Sequence, residues 1–186
     1  MDSVCSFDRE KLIQLVHQLA VTQGDFTLAS GAKATFYLDC RKLTLHPEGL
    51  VQVAAGFIDR LKAELLPDAI GGMAIGADPI TAGIVHQAGL EQLNLLGFIV
   101  RKEAKGHGTG RQVEGPVQPG HNVVIIEDVV TSGGSSLKAI KAARDFGLNV
   151  TKVIAIIDRQ AGGREAFEKD GVAFESLLTL NDLGLS

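Results

Sequence analysis

Cysteine is scarce: only Cys5 and Cys40 occur among 186 residues. That is too few for a disulfide scaffold, and it points to a cytoplasmic setting with both thiols reduced. No apolar run approaches the roughly 18–20 residues that cross a bilayer, so no membrane partner is expected. The N-terminus has no basic stretch followed by an apolar one, and no signal peptide is expected. The 5 prolines and 22 glycines are dispersed, which leaves no low-complexity segment, repeat or dividing linker. There is no basic excess either. The formal net charge of -4 argues against a nucleic-acid partner, but not against a small anion held in a local basic pocket. Neither a Walker A string nor a GxGxxG fingerprint is present, so nucleoside triphosphate and dinucleotide folds lose support. His17, His46, His86 and His121 show no metal-ligand spacing, and Cys40 has no paired general base.

What remains is a chain with 45% hydrophobic and 22% charged residues, long enough for one domain with a sizeable core. Leu12, Leu15, Val16 and Leu19 recur at helical spacing and predict a helix near 8–20 with Ser6 as its N-cap. Two short β-like pieces follow, near Phe26–Leu28 and Thr35–Asp39, with a turn at Ser30-Gly31. A helix beginning near Pro47 would bury Leu50, Val53, Ala54, Phe57, Ile58, Leu61 and Leu65. Strands and helices then alternate. Strands are expected at 69–75, 94–100, 123–126, 150–157 and 173–179, and helices near 79–89, 134–146 and 163–169. Such alternation implies an α/β fold, a mostly parallel twisted sheet flanked by helices, with ligands at the carboxyl ends of the strands. The stretch 102–120 carries repeated Gly and Pro without apolar period, and reads as a long flexible loop.

The densest chemical signal is Val123-Val124-Ile125-Ile126-Glu127-Asp128-Val129-Val130-Thr131-Ser132-Gly133-Gly134-Ser135. A buried strand delivers two carboxylates that can accept hydrogen bonds from sugar hydroxyls. The hydroxyl- and glycine-rich turn then offers N–H groups, and a helix dipole, to a phosphate. Arg101, Lys102, Lys105 and His107 form a basic run after a predicted strand. It is either a solvated basic loop or a lid that closes over an anion. Asp158-Arg159-Gln160 follows another strand. Arg159 is either a surface residue or a guanidinium fork aimed at a planar carboxylate. Gly71, Gly72 and Gly76 near a strand end would let backbone approach a ligand closely.

The Val123–Ser135 segment resembles the phosphoribosyl pyrophosphate (PRPP) motif of the type I phosphoribosyltransferases. That resemblance implies that Glu127 and Asp128 hold the ribose hydroxyls while Thr131, Ser132, Gly133, Gly134 and Ser135 wrap the 5-phosphate, with Val129 and Val130 also part of the PRPP site. Mg2+ would be held mainly through PRPP, without confident direct protein ligands. The string Arg101-Lys102-Glu103-Ala104-Lys105-Gly106-His107-Gly108 is similar to the catalytic loop of orotate phosphoribosyltransferases. In that family the loop closes over the neighbouring subunit of a homodimer. Arg101, Lys102, Lys105 and His107 match its positions, which makes Lys105 and His107 catalytic candidates together with Asp128. The resemblance gives Arg159 and Thr131 to orotate. Phe26 to Asp39 resembles the family's small N-terminal hood, except that Ala29 stands where many members carry Lys. The 74–80 loop likewise lacks the aromatic-Lys pair of some relatives.

The implied layout is a single type I phosphoribosyltransferase domain over 1–186. It would have a hood at about 1–45, a core at about 46–186 and a mobile loop at about 102–120. The implied reaction is orotate plus PRPP giving orotidine 5′-monophosphate and pyrophosphate, a step of de novo pyrimidine biosynthesis. Two other readings stay open: a purine phosphoribosyltransferase, and a non-catalytic regulator that senses PRPP.

Overall fold

The structure, a computed structural model, describes residues 6–27, 33–103 and 112–185. The chain opens with α1 (Arg9–Leu15), which runs into a π-helical turn (Val16–Ala20). Its N-cap is Asp8 rather than Ser6: the Asp8 carboxylate accepts from the Lys11 amide at 3.0 Å. A carboxylate at this position also suits the positive end of the helix dipole. Strands β1 (Val21–Thr27) and β2 (Lys33–Leu38) form an antiparallel pair with an irregularity between Gln23 and Phe26. The strand therefore starts five residues before the predicted Phe26, because ladder pairing to β2 overrides a polar, glycine-containing sequence. The predicted Ser30-Gly31 turn and Ala29 lie outside the described residues. A short helix α2 (Arg41–Thr44), not expected from sequence, leads to α3 (Pro47–Lys62).

The remaining elements are β3 (Ala69–Met73), α4 (Ala77–Leu90), β4 (Leu96–Val100), β5 (Val113–Glu114), β6 (Asn122–Val130), α5 (Gly134–Phe146), β7 (Asn149–Asp158), α6 (Gly163–Lys169) and β8 (Ala173–Thr179). Six strands form one sheet in the order β5-β4-β3-β6-β7-β8. All neighbours are parallel except β4 and β5. The sheet is thus mostly parallel and flanked by helices, as the alternation of patterns implies. Two expectations need correction. Segment 102–120 is not wholly irregular: Val113–Glu114 return to β4 as an antiparallel edge, and Val113 and Val117 are buried. Leu65 lies beyond the end of α3 and is exposed, so the apolar face of that helix ends at Leu61.

Period-two alternation sorts the central strand between two cores. Val124 and Ile126 pack with Val53, Phe57, Ile80 and Ile84 on one face of the sheet. Val123 and Ile125 pack with Ala139, Ile140 and Ala143 of α5 on the other. Burying a side chain the size of Ile126 fully stabilises by about 1.5–3 kcal/mol. Such burial explains why β3, β6 and β7 read as continuous apolar runs. Gly71 and Gly72 serve this packing. A Cβ on Gly72 would lie 2.0 Å from the Ile126 carbonyl oxygen, so only glycine lets β3 sit between β4 and β6.

Chain order and spatial order together locate a crevice. From β3 the chain moves outward to β4, then returns to the other side of β3 to lay down β6. The carboxyl ends of β3 and β6 therefore diverge at a topological switch point, where open α/β sheets bind ligands.

Candidate functional site

Three of the sequence-predicted segments meet at that switch point. A cavity of about 290 Å³ is lined by Asp39, Cys40 and Arg41 from the N-terminal unit, Met73 to Gly76 at the end of β3 and beyond it, Lys102, and Glu127, Asp128, Val129 and Ser135. A second cavity of about 340 Å³ shares Glu127, Val129 and Ser135 and continues along Val130 to Ser136, with Lys138 at its far side. A cavity of about 330 Å³ near Leu65 and Lys152 is as large, so volume does not single out the site; the convergence of charge does.

The acids are not at the strand's end, as 123–126 predicts, but within it: β6 runs through Val130. Strand geometry therefore sends adjacent Glu127 and Asp128 to opposite sides. Glu127 points to the α5 side, where the Ser136 hydroxyl donates to its Oε2 at 2.7 Å. Asp128 points to the other side: a Cβ on Gly76 would stand 3.1 Å from its Oδ2. Gly76 thus leaves room for the carboxylate. Asp128 Oδ1 also accepts the Val129 amide at 2.7 Å. Burial pushes the Glu127 carboxyl up to about 7, with the neighbouring Asp128 adding to it and the Ser136 hydroxyl opposing it. One acid is thus poised near neutrality, while the other stands half-buried beside the crevice.

Past Val130 the chain turns into α5 through Thr131, Ser132 and Gly133. Gly133 is the N-cap with φ of 78°, a left-handed conformation that favours glycine. Neither it nor a neighbour caps the helix with a side chain. The first-turn N–H groups of α5 and the exposed hydroxyls of Thr131, Ser132 and Ser135 accordingly face the second cavity. Val130 differs from its neighbours: its side chain is buried, and its carbonyl accepts the Arg159 amide at 2.8 Å. Any contact it makes with an anion is through backbone.

That hydrogen bond sets Arg159 beside the turn that follows β6. Its guanidinium stands 5.8 Å from the centre of the Phe36 ring, on β2. Asp158, which is buried, accepts the Gln160 amide at 2.8 Å and so holds the bend after β7. Arg101 and Lys102 stand at the end of β4, both exposed. Arg101 and Gln112 are joined by a backbone bond of 2.9 Å, which ties together the two ends of the basic loop. Lys102 lines the first cavity as well as a wider one of about 720 Å³ with Ala74, Ile75, Asp78 and Arg101. Lys105 and His107 lie outside the described residues.

Sequence reasoning missed three participants. Ser136 follows the recognised turn by one residue. Phe36 lies unmarked within the hood segment. Arg41 is held flat by Asp39 through bonds of 2.8 Å and 3.1 Å. That pairing lowers the Asp39 carboxyl and raises the Arg41 guanidinium. The Y-x-D-x-R spacing was the available signal for Arg41; nothing local marks the other two. Among the described residues no group of three or more His, Cys, Asp or Glu side chains could hold a metal ion.

Comparison with known proteins agrees with this geometry. The phosphoribosyl transferase domain family matches residues 53–177. An orotate phosphoribosyltransferase of Rhodopirellula baltica is 55% identical over 183 residues, covering 96% of this chain and 95% of that protein. The crystal structure of Mycobacterium tuberculosis orotate phosphoribosyltransferase with Fe(III) dicitrate superposes with a TM-score of 0.84 at 38% identity, over 95% of this chain and 99% of that one. The same enzyme in complex with PRPP gives a TM-score of 0.81 at 34% identity, over 95% and 99%.

Proposed function

The chain belongs to the orotate phosphoribosyltransferase family, and from that premise we propose which of its residues carry the reaction. It transfers the ribose 5-phosphate group of PRPP to orotate, giving orotidine 5′-monophosphate and pyrophosphate in pyrimidine biosynthesis. The observation that carries the assignment of residues is the meeting of Glu127 and Asp128, the Thr131–Ser135 turn and Arg159 around the carboxyl ends of β6 and β7.

The 5-phosphate sits on the turn of Thr131, Ser132, Gly133, Gly134 and Ser135, where uncapped N–H groups meet the positive helix end. Asp128 and Glu127 accept from the ribose hydroxyls and fix the sugar. Arg159 pairs with the orotate carboxylate, and the Phe36 ring keeps the guanidinium facing the base site. Thr131 contributes its hydroxyl to the base. The anomeric bond to pyrophosphate breaks with oxocarbenium character as the orotate nitrogen attacks from the opposite face. No covalent nucleophile is needed. The main task is to stabilise charge gathering on the departing pyrophosphate. Arg101, Lys102, Lys105 and His107 supply it, with Lys105 and His107 on a lid lent by the other subunit of a homodimer. Arg41, on the same cavity as Asp128, adds a cation on the side where the 74–80 loop has none. When bound, Mg2+ held mainly through PRPP would supply further positive charge to offset that on the leaving pyrophosphate. A cytoplasmic setting belongs to this reading and is supported by the free, buried thiol of Cys40.

Arg159 decides against a purine substrate, which has no carboxylate to meet it. The test is a panel of orotate, uracil, xanthine and adenine with PRPP and magnesium. Orotate alone should be consumed; turnover of a purine with orotate untouched would refute the assignment. Binding of PRPP without any turnover would favour a sensor.

A further inference from the structure

We propose that Ser136 is a positioning residue for this reaction, holding the Glu127 carboxylate for the ribose and tying that acid to the phosphate-binding helix. The proposal rests on the reading of Glu127 as a ribose ligand. Its observation is a buried pair: Ser136 Oγ donates to Glu127 Oε2 at 2.7 Å, with the serine 1% and the glutamate 6% exposed. Ser136 stands in the first turn of α5, directly after the turn that receives the 5-phosphate. One helix therefore offers N–H groups to one end of the sugar phosphate and orients an acid toward its other end. Oε2 is thus held from the α5 side, while Glu127 lines both cavities of the crevice, where the sugar hydroxyls would meet it.

The hydroxyl has a second effect. A carboxyl buried beside another carboxylate is driven toward its neutral form, and a neutral acid is a poorer acceptor for a sugar hydroxyl. A donor in the α5 wall opposes that drift. The charged groups around Glu127 are Asp128 on β6, Asp39 and Arg41 after β2, Lys102 after β4 and Lys138 on α5. The neighbouring strands contribute apolar groups, Met73 from β3 and, opposite Glu127 in register, Ala155 from β7. Ser136 is the group among these that touches the Glu127 carboxylate through a hydroxyl.

The test is initial-rate kinetics on the full-length enzyme across the neutral pH range. Ser136→Ala should raise the KM for PRPP about tenfold, the order expected for a lost hydrogen bond to a charged group, with the KM for orotate little changed. The acidic limb of kcat/KM for PRPP should also move to higher pH. Ser136→Thr, which keeps the hydroxyl, should restore both, and in a Glu127→Gln background Ser136→Ala should add nothing. If the alanine variant does not fold, Ser136→Cys, nearly isosteric and a weak donor, is read in the same way. If Ser136→Ala leaves the PRPP KM and the acidic limb unchanged while Glu127→Ala raises that KM, the positioning role is overturned and the ribose reading stands. If Glu127→Ala also leaves the KM unchanged, the ribose reading falls and the proposal with it.

Discussion

At the scale of the residue, burial sets the behaviour of Glu127. Its carboxyl is raised to about 7 chiefly by burial, against an ordinary value of 4.5. The unfolded chain would ionise it near 4.5, so between 4.5 and about 7 the folded state binds the extra proton. Its contribution to stability is therefore complete below that window and is lost as pH rises through about 7. Glu127→Gln should stabilise the protein above pH 7 by up to about 3 kcal/mol, with the gain fading toward acid. Urea titrations at several pH values would check this, and a pH-independent difference would contradict it. Arg159 yields a second expectation. Arg159→Gln should raise the KM for orotate by about tenfold or more, and leave the KM for PRPP nearly unchanged. Both acids and this arginine were legible in the sequence, because each follows or ends an apolar strand. Ser136 and Phe36 were not, because their partners come from other elements; Arg41 was marked only by the Y-x-D-x-R spacing, which does not reveal the side-chain conformation that pairs it with Asp39.

At the scale of the element, β6, its turn and α5 form one device. The left-handed Gly133 lets the chain leave the strand and aim the open end of α5 at the crevice. A Cβ there would also lie 2.9 Å from the Phe167 ring. Gly133→Ala should cost about 1–3 kcal/mol of stability and weaken phosphate binding. Thermal unfolding with and without PRPP would measure both, and an unchanged melting temperature would count against the strain. Helices 134–146 and 163–169 and strand 173–179 appear where periodicity predicts them, since strong apolar repeats are bounded there by glycine. Boundaries failed where tertiary pairing decides. Strand β1 exists because β2 pairs with it, and Val113–Glu114 is too short to show a period. The acids lie inside β6 because β7 continues the ladder to Asp158.

At the scale of the whole molecule, the strand order creates the crevice, and its net charge of -4 means that cations must be gathered locally around an anionic donor. Arg41 and Lys102 reach the central cavity from separate segments. The rest of the positive charge is proposed to come from a partner's Lys105 and His107. Mixing inactive Lys105→Ala subunits with inactive Asp128→Asn subunits should then restore part of the activity, toward a quarter of the wild-type level if dimers assort at random. No recovery would contradict a shared lid. The most direct test of the central claim is the loss of orotate absorbance when PRPP and magnesium are added to the pure protein. Rapid loss is expected with the wild type, and a fall of at least about a hundredfold for a folded Asp128→Asn variant. Undiminished loss in that variant, or none in the wild type, would contradict it.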